Sequence, residues 1–587
     1  MTCNFLSVAV KHMDTSRRPK IALLNIPSGM PSEAFPIAIS RVIDGLDPSL
    51  DAEIEFIDVE YYGLSFDEIK ARISAISPQI IGFSAILTHA YSYLKELSLF
   101  LRSEFPDTVQ VLGGQMSVLG NLIIQRTEVD FCVIGESEPA FSALIARLRD
   151  AKYDLSAPGR FSDIRGLVYM SGGIPYFTGY AESAGKGLGQ MNYDLMSKFT
   201  NVERFFPHVT EGPFKNWINK YEVGDFYGWL FPGNIHKRIA SVFASKGCVG
   251  RCTFCHRFFR GYVPFAPDLV ISHINELAKK RDIGLIQLLG ELFSSDKKKV
   301  GIIVDYLKLS RLNWSIAAMR VDMIDEMDIL KWKEAGCVMI SFGIESCSQK
   351  MLDVMEKRTT VEENLKAIDL CFKHGIFTAI LLLIGMPGET EETVSETIRN
   401  LIKVIPDDMA VPYEIVINYF QPVPGTPGYE YARNVGLIGQ SLEGEEQYVK
   451  GLYGVNANDI KHYLNFTDYE KEETAYWKHY IFLELIVGYI KKHGLLGTLK
   501  HKKANRYKYA AVYMLAPARI RRFLLKYGIM AASFGLTTMI NVICRKIFKK
   551  KKPFFSLLRE SLRELNKRME LPIRSDEMHT HVLRKGR

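Results

Sequence analysis

Short strand-like runs punctuate the first 150 residues at Ile21–Ile26, Glu53–Asp58, Ile80–Ser84, Val109–Leu112 and Phe131–Ile134. Amphipathic stretches of helix length, such as Ala90–Leu101 and Pro139–Leu148, separate them. This rhythm predicts a parallel α/β domain. Open parallel sheets bind at the carboxyl ends of their strands. The predicted ligand-facing segments are therefore Pro27–Met30, Ala85–His89, Gly113–Met116 and Gly135–Glu138. From 151 to about 235, Gly, Pro, aromatic and charged residues mix without a period, and only a small hairpin around Gly166–Ile174 stands out. Alternation resumes from Ser241 to about Leu437, with strands predicted at 241–245, 285–290, 314–319, 338–344, 378–384 and 414–420. A second α/β unit, an open barrel, follows from that pattern. Beyond 440 the chain reads as mainly helical, most clearly over Glu473–Lys492 and Val512–Lys546, although Pro517 and glycines interrupt the latter. Four segments result: 18–150, a linker over 151–235, 236–437, and a helical region over 438–587.

A length of 587 residues exceeds what one hydrophobic core organises. With 47% apolar and 24% charged residues the chain is not of disordered type. Its net charge of +8 is local, because no Asp or Glu occurs between Glu484 and Glu560. The remainder is not uniformly basic, which argues against nucleic acid as a partner. Tyr527–Cys544, followed by Lys549–Lys552, suits peripheral contact with an anionic membrane surface or admission of a poorly soluble substrate. Gly528, Gly535 and Asn541 argue against a membrane span, and a helical cap on the barrel is the alternative.

Three of the nine cysteines cluster at Cys248, Cys252 and Cys255, and the other six are scattered, unlike a disulfide framework. The opening residues lack the pattern of an export signal, so the expected location is cytoplasmic, peripheral at the inner membrane surface if the basic segment makes its contact. The clustered segment reads Cys248-Val-Gly-Arg-Cys252-Thr-Phe-Cys255 and directly follows the run Ser241–Ser245. Three thiolates in such a loop can wrap one face of an iron-sulfur cluster, and a cubane so held keeps one iron open for an external ligand. A zinc site completed by His256 or a remote ligand is the competing reading, and it explains nothing downstream. Cys132, Cys337 and Cys371 read as small buried residues.

The Cys-x3-Cys-x2-Cys spacing, with Phe254 before the last cysteine, resembles the radical S-adenosylmethionine (SAM) signature, and the surrounding chain resembles the cobalamin-binding branch of that superfamily. The resemblance implies a [4Fe-4S] cluster whose open iron chelates SAM. It also implies a reducing donor such as flavodoxin or ferredoxin, and cleavage of SAM to methionine and a 5′-deoxyadenosyl radical. It assigns Glu291, in Leu289-Gly290-Glu291, to the SAM amine, and Arg320, in Ala318-Met319-Arg320-Val321-Asp322, to the SAM carboxylate. Glu345, in Phe342-Gly343-Ile344-Glu345-Ser346, would face the adenosyl or substrate region. Met386-Pro387-Gly388-Glu389-Thr390 and Pro422–Pro427 complete the match.

The first domain resembles cobalamin-binding modules through Gly82–Thr88, Leu112-Gly113-Gly114-Gln115 and Val129–Glu138. Small residues such as Gly113 and Gly114 let backbone approach a large planar cofactor, while Ser84 and Thr88 can bond its amide rim or nucleotide tail. The first Gly-rich loop does not match a dinucleotide fingerprint, which argues against a nicotinamide site. Asn25-Ile26-Pro27-Ser28-Gly29-Met30 lacks the Asp-x-His-x-x-Gly of many such modules, so cobalamin is expected without a histidine on cobalt, with His89 the alternative ligand. The resemblance implies an α/β fold with an N-terminal Rossmann-like cobalamin-binding domain, a central partial (β/α)6 radical SAM barrel and a mainly helical C-terminal domain. It further implies methylation of a poorly activated carbon or phosphorus centre in a small-molecule or lipid-like substrate, one SAM providing the methyl group through cobalamin and a second the radical. Oxidative cyclisation or ring rearrangement without net methylation is the alternative. Methylthiolation calls for an auxiliary cluster, and the sequence contains no second cysteine triad.

Overall fold

The computed structural model describes residues 18–28, 35–86, 90–181, 189–211, 230–256, 261–408, 411–452, 463–494 and 496. Seven strands form the first sheet: β1 Lys20–Asn25, β2 Glu53–Ile57, β3 Ile80–Ser84, β4 Val109–Gly113, β5 Phe131–Val133, β6 Leu167–Ser171 and β7 Ile174–Phe177. Their order is β2-β1-β3-β4-β5-β6-β7. The first five are parallel, and the central strands are buried on both faces, as in the burial of Ile21–Leu24 and Ile80–Phe83. Strand order reverses between β1 and β3, the switch point at which such sheets open a crevice.

The hairpin expected in the linker belongs to this sheet. β6 pairs antiparallel with β5, setting Phe131 opposite Tyr169 and Cys132 opposite Val168. Leu167, Val168 and Tyr169 are all buried, so the short apolar run extends the first core. The helix Ser137–Asp150 follows β5 and buries Ala140, Phe141, Leu144, Ile145 and Leu148, a single stripe at helical spacing.

In the second unit β8 Arg238–Phe243 leads into a two-stranded antiparallel ribbon, β9 Ser245–Cys248 and β10 Gly261–Pro264. The ribbon is absent from the sequence reading because its residues are short, mixed and Gly-containing. β11 Ile283–Leu289, β12 Asn313–Met319, β13 Cys337–Glu345, β14 Phe377–Ile384 and β15 Tyr413–Tyr419 follow. With β8 they form a parallel sheet in sequence order, open between β8 and β15, which is a partial (β/α)6 barrel.

The helix Lys471–His493 buries Trp477, Tyr480, Ile481 and Leu485 and packs on the helix Glu391–Lys403. A second late helix, Leu442–Gly451, returns to the first domain. Val449 and Leu452 join the core containing Leu119, Leu122 and Ile123, and Tyr91 and Lys95 both reach Glu446 Oε1, at 3.0 and 2.6 Å. The Val512–Lys546 helix, Tyr527–Cys544 and Lys549–Lys552 lie outside the described residues. Among the described residues no helix is long and apolar enough to cross a membrane.

Candidate active site at the seam of the two sheets

The cysteine loop leaves the barrel at the end of β9 and is held from outside. Thr253 donates its amide to Met355 at 2.9 Å and its hydroxyl to the Val354 carbonyl at 3.3 Å, while the Gly428 amide donates to the Thr253 carbonyl at 2.9 Å. Cys252 is buried, Cys248 half-buried and Cys255 exposed. Gly250 lies between two of the thiols: a Cβ there would sit 3.3 Å from Cys248 Sγ, 3.8 Å from Cys252 Sγ and 3.3 Å from Arg320 Nη1. Burial raises the Cys252 thiol, and the positive charges of Lys357 and Arg320 oppose that rise.

Arg320, at the end of β12, is buried and chelated by Asp322, with Nε and Nη2 at 3.0 and 2.9 Å; Nη2 also reaches the Lys357 carbonyl at 2.9 Å. Its guanidinium is held strongly protonated: burial opposes the charge, but Asp322 and the two thiols outweigh it. Glu345 ends β13 in the left-handed region, at φ +62°, where the register with β14 shifts between Gly343 and Glu345. A non-glycine residue in that region is strained, and such strain gathers at functional sites. Lys357 Nζ lies 3.1 Å from Glu345 Oε1. Gly343 permits this pair, since a Cβ there would come within 2.6 Å of Oε1 and 3.0 Å of Nζ.

Glu291 follows Gly290, whose φ of +149° and close approach to Ser245 Oγ leave no room for a side chain. Its Oε2 accepts the Gly247 amide at 2.8 Å. Arg320 and Glu345 thus gather beside Cys248 and Cys252, and Glu291 reaches the same loop through Gly247. Sequence reasoning missed Lys357. It lies between Glu356 and Arg358, both in the left-handed region, and no spacing signal marks it.

Two motif loops line the surroundings. Glu389 is fully buried, accepts the Gly385 and Met386 amides at 2.5 and 3.3 Å, and is pushed by burial up to about 8 against those two bonds. His256, after Cys255, is pushed down to about 4 by burial. Its ring packs against Gly425, where a Cβ would lie 2.9 Å from both Nε2 and Val118 Cγ2 of the first domain.

In the first domain a small cavity of about 40 Å³ opens at the β1/β3 switch point. Ser84, Gly113 and Gly114 line it, with Leu23, Gly82 and Phe141. Thr88 and His89 lie outside the described residues. Glycine is required twice in this wall: a Cβ on Gly82 would lie 2.5 Å from Leu23 Cδ2, and one on Gly114, at φ +82°, would lie 2.6 Å from the Ala85 carbonyl oxygen. Where a histidine loop would follow β1, Ser28 instead donates its amide and hydroxyl to Glu60 Oε1 at 2.9 and 2.8 Å.

Residues 242–401 match the model of the radical SAM superfamily, and residues 50–145 match that of the B12 binding domain. Among curated relatives, the anaerobic magnesium-protoporphyrin IX monomethyl ester cyclase of Rubrivivax gelatinosus is 28% identical over 59% of this chain and 58% of its own length. An uncharacterized methyltransferase of Pyrococcus horikoshii is 25% identical over 67% of this chain and 80% of its own. The chain therefore spans less than two thirds of the length of the cyclase relative. In structure it resembles OxsB, a cobalamin-dependent S-adenosylmethionine radical enzyme solved with aqua-cobalamin and S-adenosylmethionine, with TM-score 0.55, 15% identity, and coverage of 96% of this chain and 83% of that one.

The domain matches imply a [4Fe-4S] cluster, SAM and cobalamin, and the residues present fit them. A Cβ on Gly250 would lie 3.3 Å from Cys248 Sγ and 3.8 Å from Cys252 Sγ, so two of the three thiols flank one turn of the loop, and a cubane takes one thiolate on each of three irons. The crevice, with Ser84 and Ser137 among its lining residues and Gly82, Gly113 and Gly114 in its wall, lets part of a large cofactor approach the backbone. A parallel sheet with a glycine-walled crevice and a six-stranded partial barrel with a three-cysteine loop, each matched by its own domain model, show that this chain joins a B12 binding domain to a radical SAM domain.

Proposed function

We propose that this chain methylates a poorly activated carbon or phosphorus centre of a small-molecule or lipid-like substrate. The observation that carries the reading is that the cysteine loop and the cobalamin-type cavity belong to two domains joined directly at one seam, through Lys246 and Glu136. When bound, the cluster with SAM supplies a hydrogen-abstracting radical and cobalamin supplies a transferable methyl group. The chain's own residues then bind and orient. Cys248, Cys252 and Cys255 hold the cluster. Arg320, fixed by Asp322, and Lys357, beside Glu345, present positive charge where a SAM carboxylate would approach, and Glu291 presents negative charge to its amine. Ser84, Gly113 and Gly114 seat the cobalamin tail, and Thr88, four residues on in sequence, is a further proposed partner.

A second reading, oxidative ring formation without net methylation, is favoured by the similarity to the Rubrivivax cyclase. Anaerobic incubation of the reconstituted chain with SAM deuterated in its methyl group, a flavodoxin or ferredoxin reducing system and an extract of small molecules separates the two. Label appearing in a product supports methylation. Unlabelled product formed with 5′-deoxyadenosine supports cyclisation or rearrangement.

A further inference from the structure

Glu136 Oε1 and Lys246 Nζ lie 2.5 Å apart, with side chains only 11% and 18% exposed. Glu136 belongs to the first domain and precedes the helix Ser137–Asp150, whose first residue lines the cavity. Lys246 belongs to the second. It sits in β9 opposite Val263, two residues before Cys248, and the intervening Gly247 donates its amide to Glu291. An unbroken run of contacts therefore connects the cavity wall, through Glu136, Lys246 and Gly247, to Glu291 and to the first cluster cysteine.

The pair is half-buried rather than fully exposed. Exposed ion pairs contribute little, and the cost of removing one member rises as water is excluded from the other. The surroundings sharpen the effect. Arg41, half-buried at the same seam, feels Glu138, Glu136 and Glu291, so Glu136 faces positive charge from Arg41 as well as from Lys246. Arg41 also donates to the Gly189 carbonyl at 3.4 Å and packs over Phe243 at the end of β8, tying the same seam to the barrel.

We propose that Lys246 and Glu136 form a positioning pair that fixes the cluster-bearing ribbon against the cavity-bearing domain, so that the two cofactor sites keep one separation. The inference rests on the functional reading above, and it assigns the pair no contact with reacting atoms. Its action runs through Gly247 on one side and Ser137 on the other.

The test uses the full chain with Glu136→Gln, Glu136→Asp and Lys246→Arg. Hydrogen–deuterium exchange of the amides of residues 246–250, measured without cofactors, should quicken about tenfold or more in E136Q and stay near wild type in K246R. The second readout is the dipolar interaction between cob(II)alamin and the reduced cluster in chain loaded with both. One narrow distance distribution is expected in wild type, a broad one in E136Q, and a narrow one again in K246R. Exchange rates or distance distributions indistinguishable between wild type and E136Q would overturn the proposal. If E136Q does not fold, E136D, which keeps the charge and shortens the arm, must show an intermediate rate, and a wild-type rate would overturn it. A wild-type chain that takes up no cobalamin would contradict the functional reading instead, and the cofactor-free exchange measurement would then decide the role of the pair by itself.

Discussion

The backbone amide of Gly247 donates to Oε2 of Glu291 at 2.8 Å, joining the residue before Cys248 to the end of β11. A glycine at 247, in the left-handed region at φ +77°, turns its N–H toward that carboxylate. The same carboxylate can therefore shape the cysteine loop and face a SAM amine. Glu291→Ala should still assemble the cluster yet weaken SAM binding about tenfold or more, the cost of a charged hydrogen bond. Glu291→Gln, which keeps an acceptor for Gly247, should preserve the loop and lose the charge. Titration of the SAM-induced change in the reduced cluster's electron paramagnetic resonance spectrum measures both.

Replacing Cys248, Cys252 and Cys255 together with Ala should abolish the bound cubane and SAM cleavage and leave the first domain folded. The core of that domain closes around β1 to β7 without any of the three thiols. Iron content and ultraviolet-visible spectra after anaerobic reconstitution report the first effect, and cobalamin uptake by the same variant reports the second.

Gly114→Ala introduces a Cβ 2.6 Å from the Ala85 carbonyl oxygen at a residue with φ +82°. A positive φ with ψ −170° is a conformation essentially reserved for glycine and costs another residue about 1–3 kcal/mol, and relief of the clash must move the β3 loop that walls the cavity. Cobalamin affinity should fall at least about tenfold while the cluster still assembles. Equilibrium dialysis with the full chain checks the outcome.

Glu389 gives a pH dependence whose sign follows from its burial. Its folded pKa is pushed up to about 8, above the ordinary glutamate value, so between those values the folded state binds more protons than the unfolded one. Stability contributed by the protonated form is present at low pH and is lost as pH rises toward about 8. Glu389→Gln, which stays neutral and can still accept from Gly385, should remove the dependence and be more stable than wild type by a few kcal/mol at pH 8.5. Chemical denaturation of both chains from pH 5.5 to 8.5 provides the comparison.

Much of the fold was legible because its strands are buried on both faces and bounded by glycine-rich turns. Ile80–Ser84 coincides with β3, and Glu473–Lys492 falls within the helix Lys471–His493. The hairpin β6–β7 was visible as a hairpin, but its pairing with β5 is a long-range contact that local pattern does not encode. At the site, Arg320, Glu345 and Glu291 were legible as strand-end residues. Lys357 was not, because its position beside Glu345 depends on two left-handed residues flanking it, Glu356 and Arg358, whose side chains give no hint of that backbone. The Lys246–Glu136 pair was equally hidden, since it joins two domains 110 residues apart in sequence.

The most direct test of the account counts how SAM is consumed. The full chain, reconstituted with iron, sulfide and cobalamin and supplied with a reductant and its substrate fraction, is assayed for 5′-deoxyadenosine and S-adenosylhomocysteine in one sample. The account predicts that both accumulate, in about equal amounts, and that Cys252→Ala abolishes the deoxyadenosine. A loaded chain that forms neither compound would contradict it.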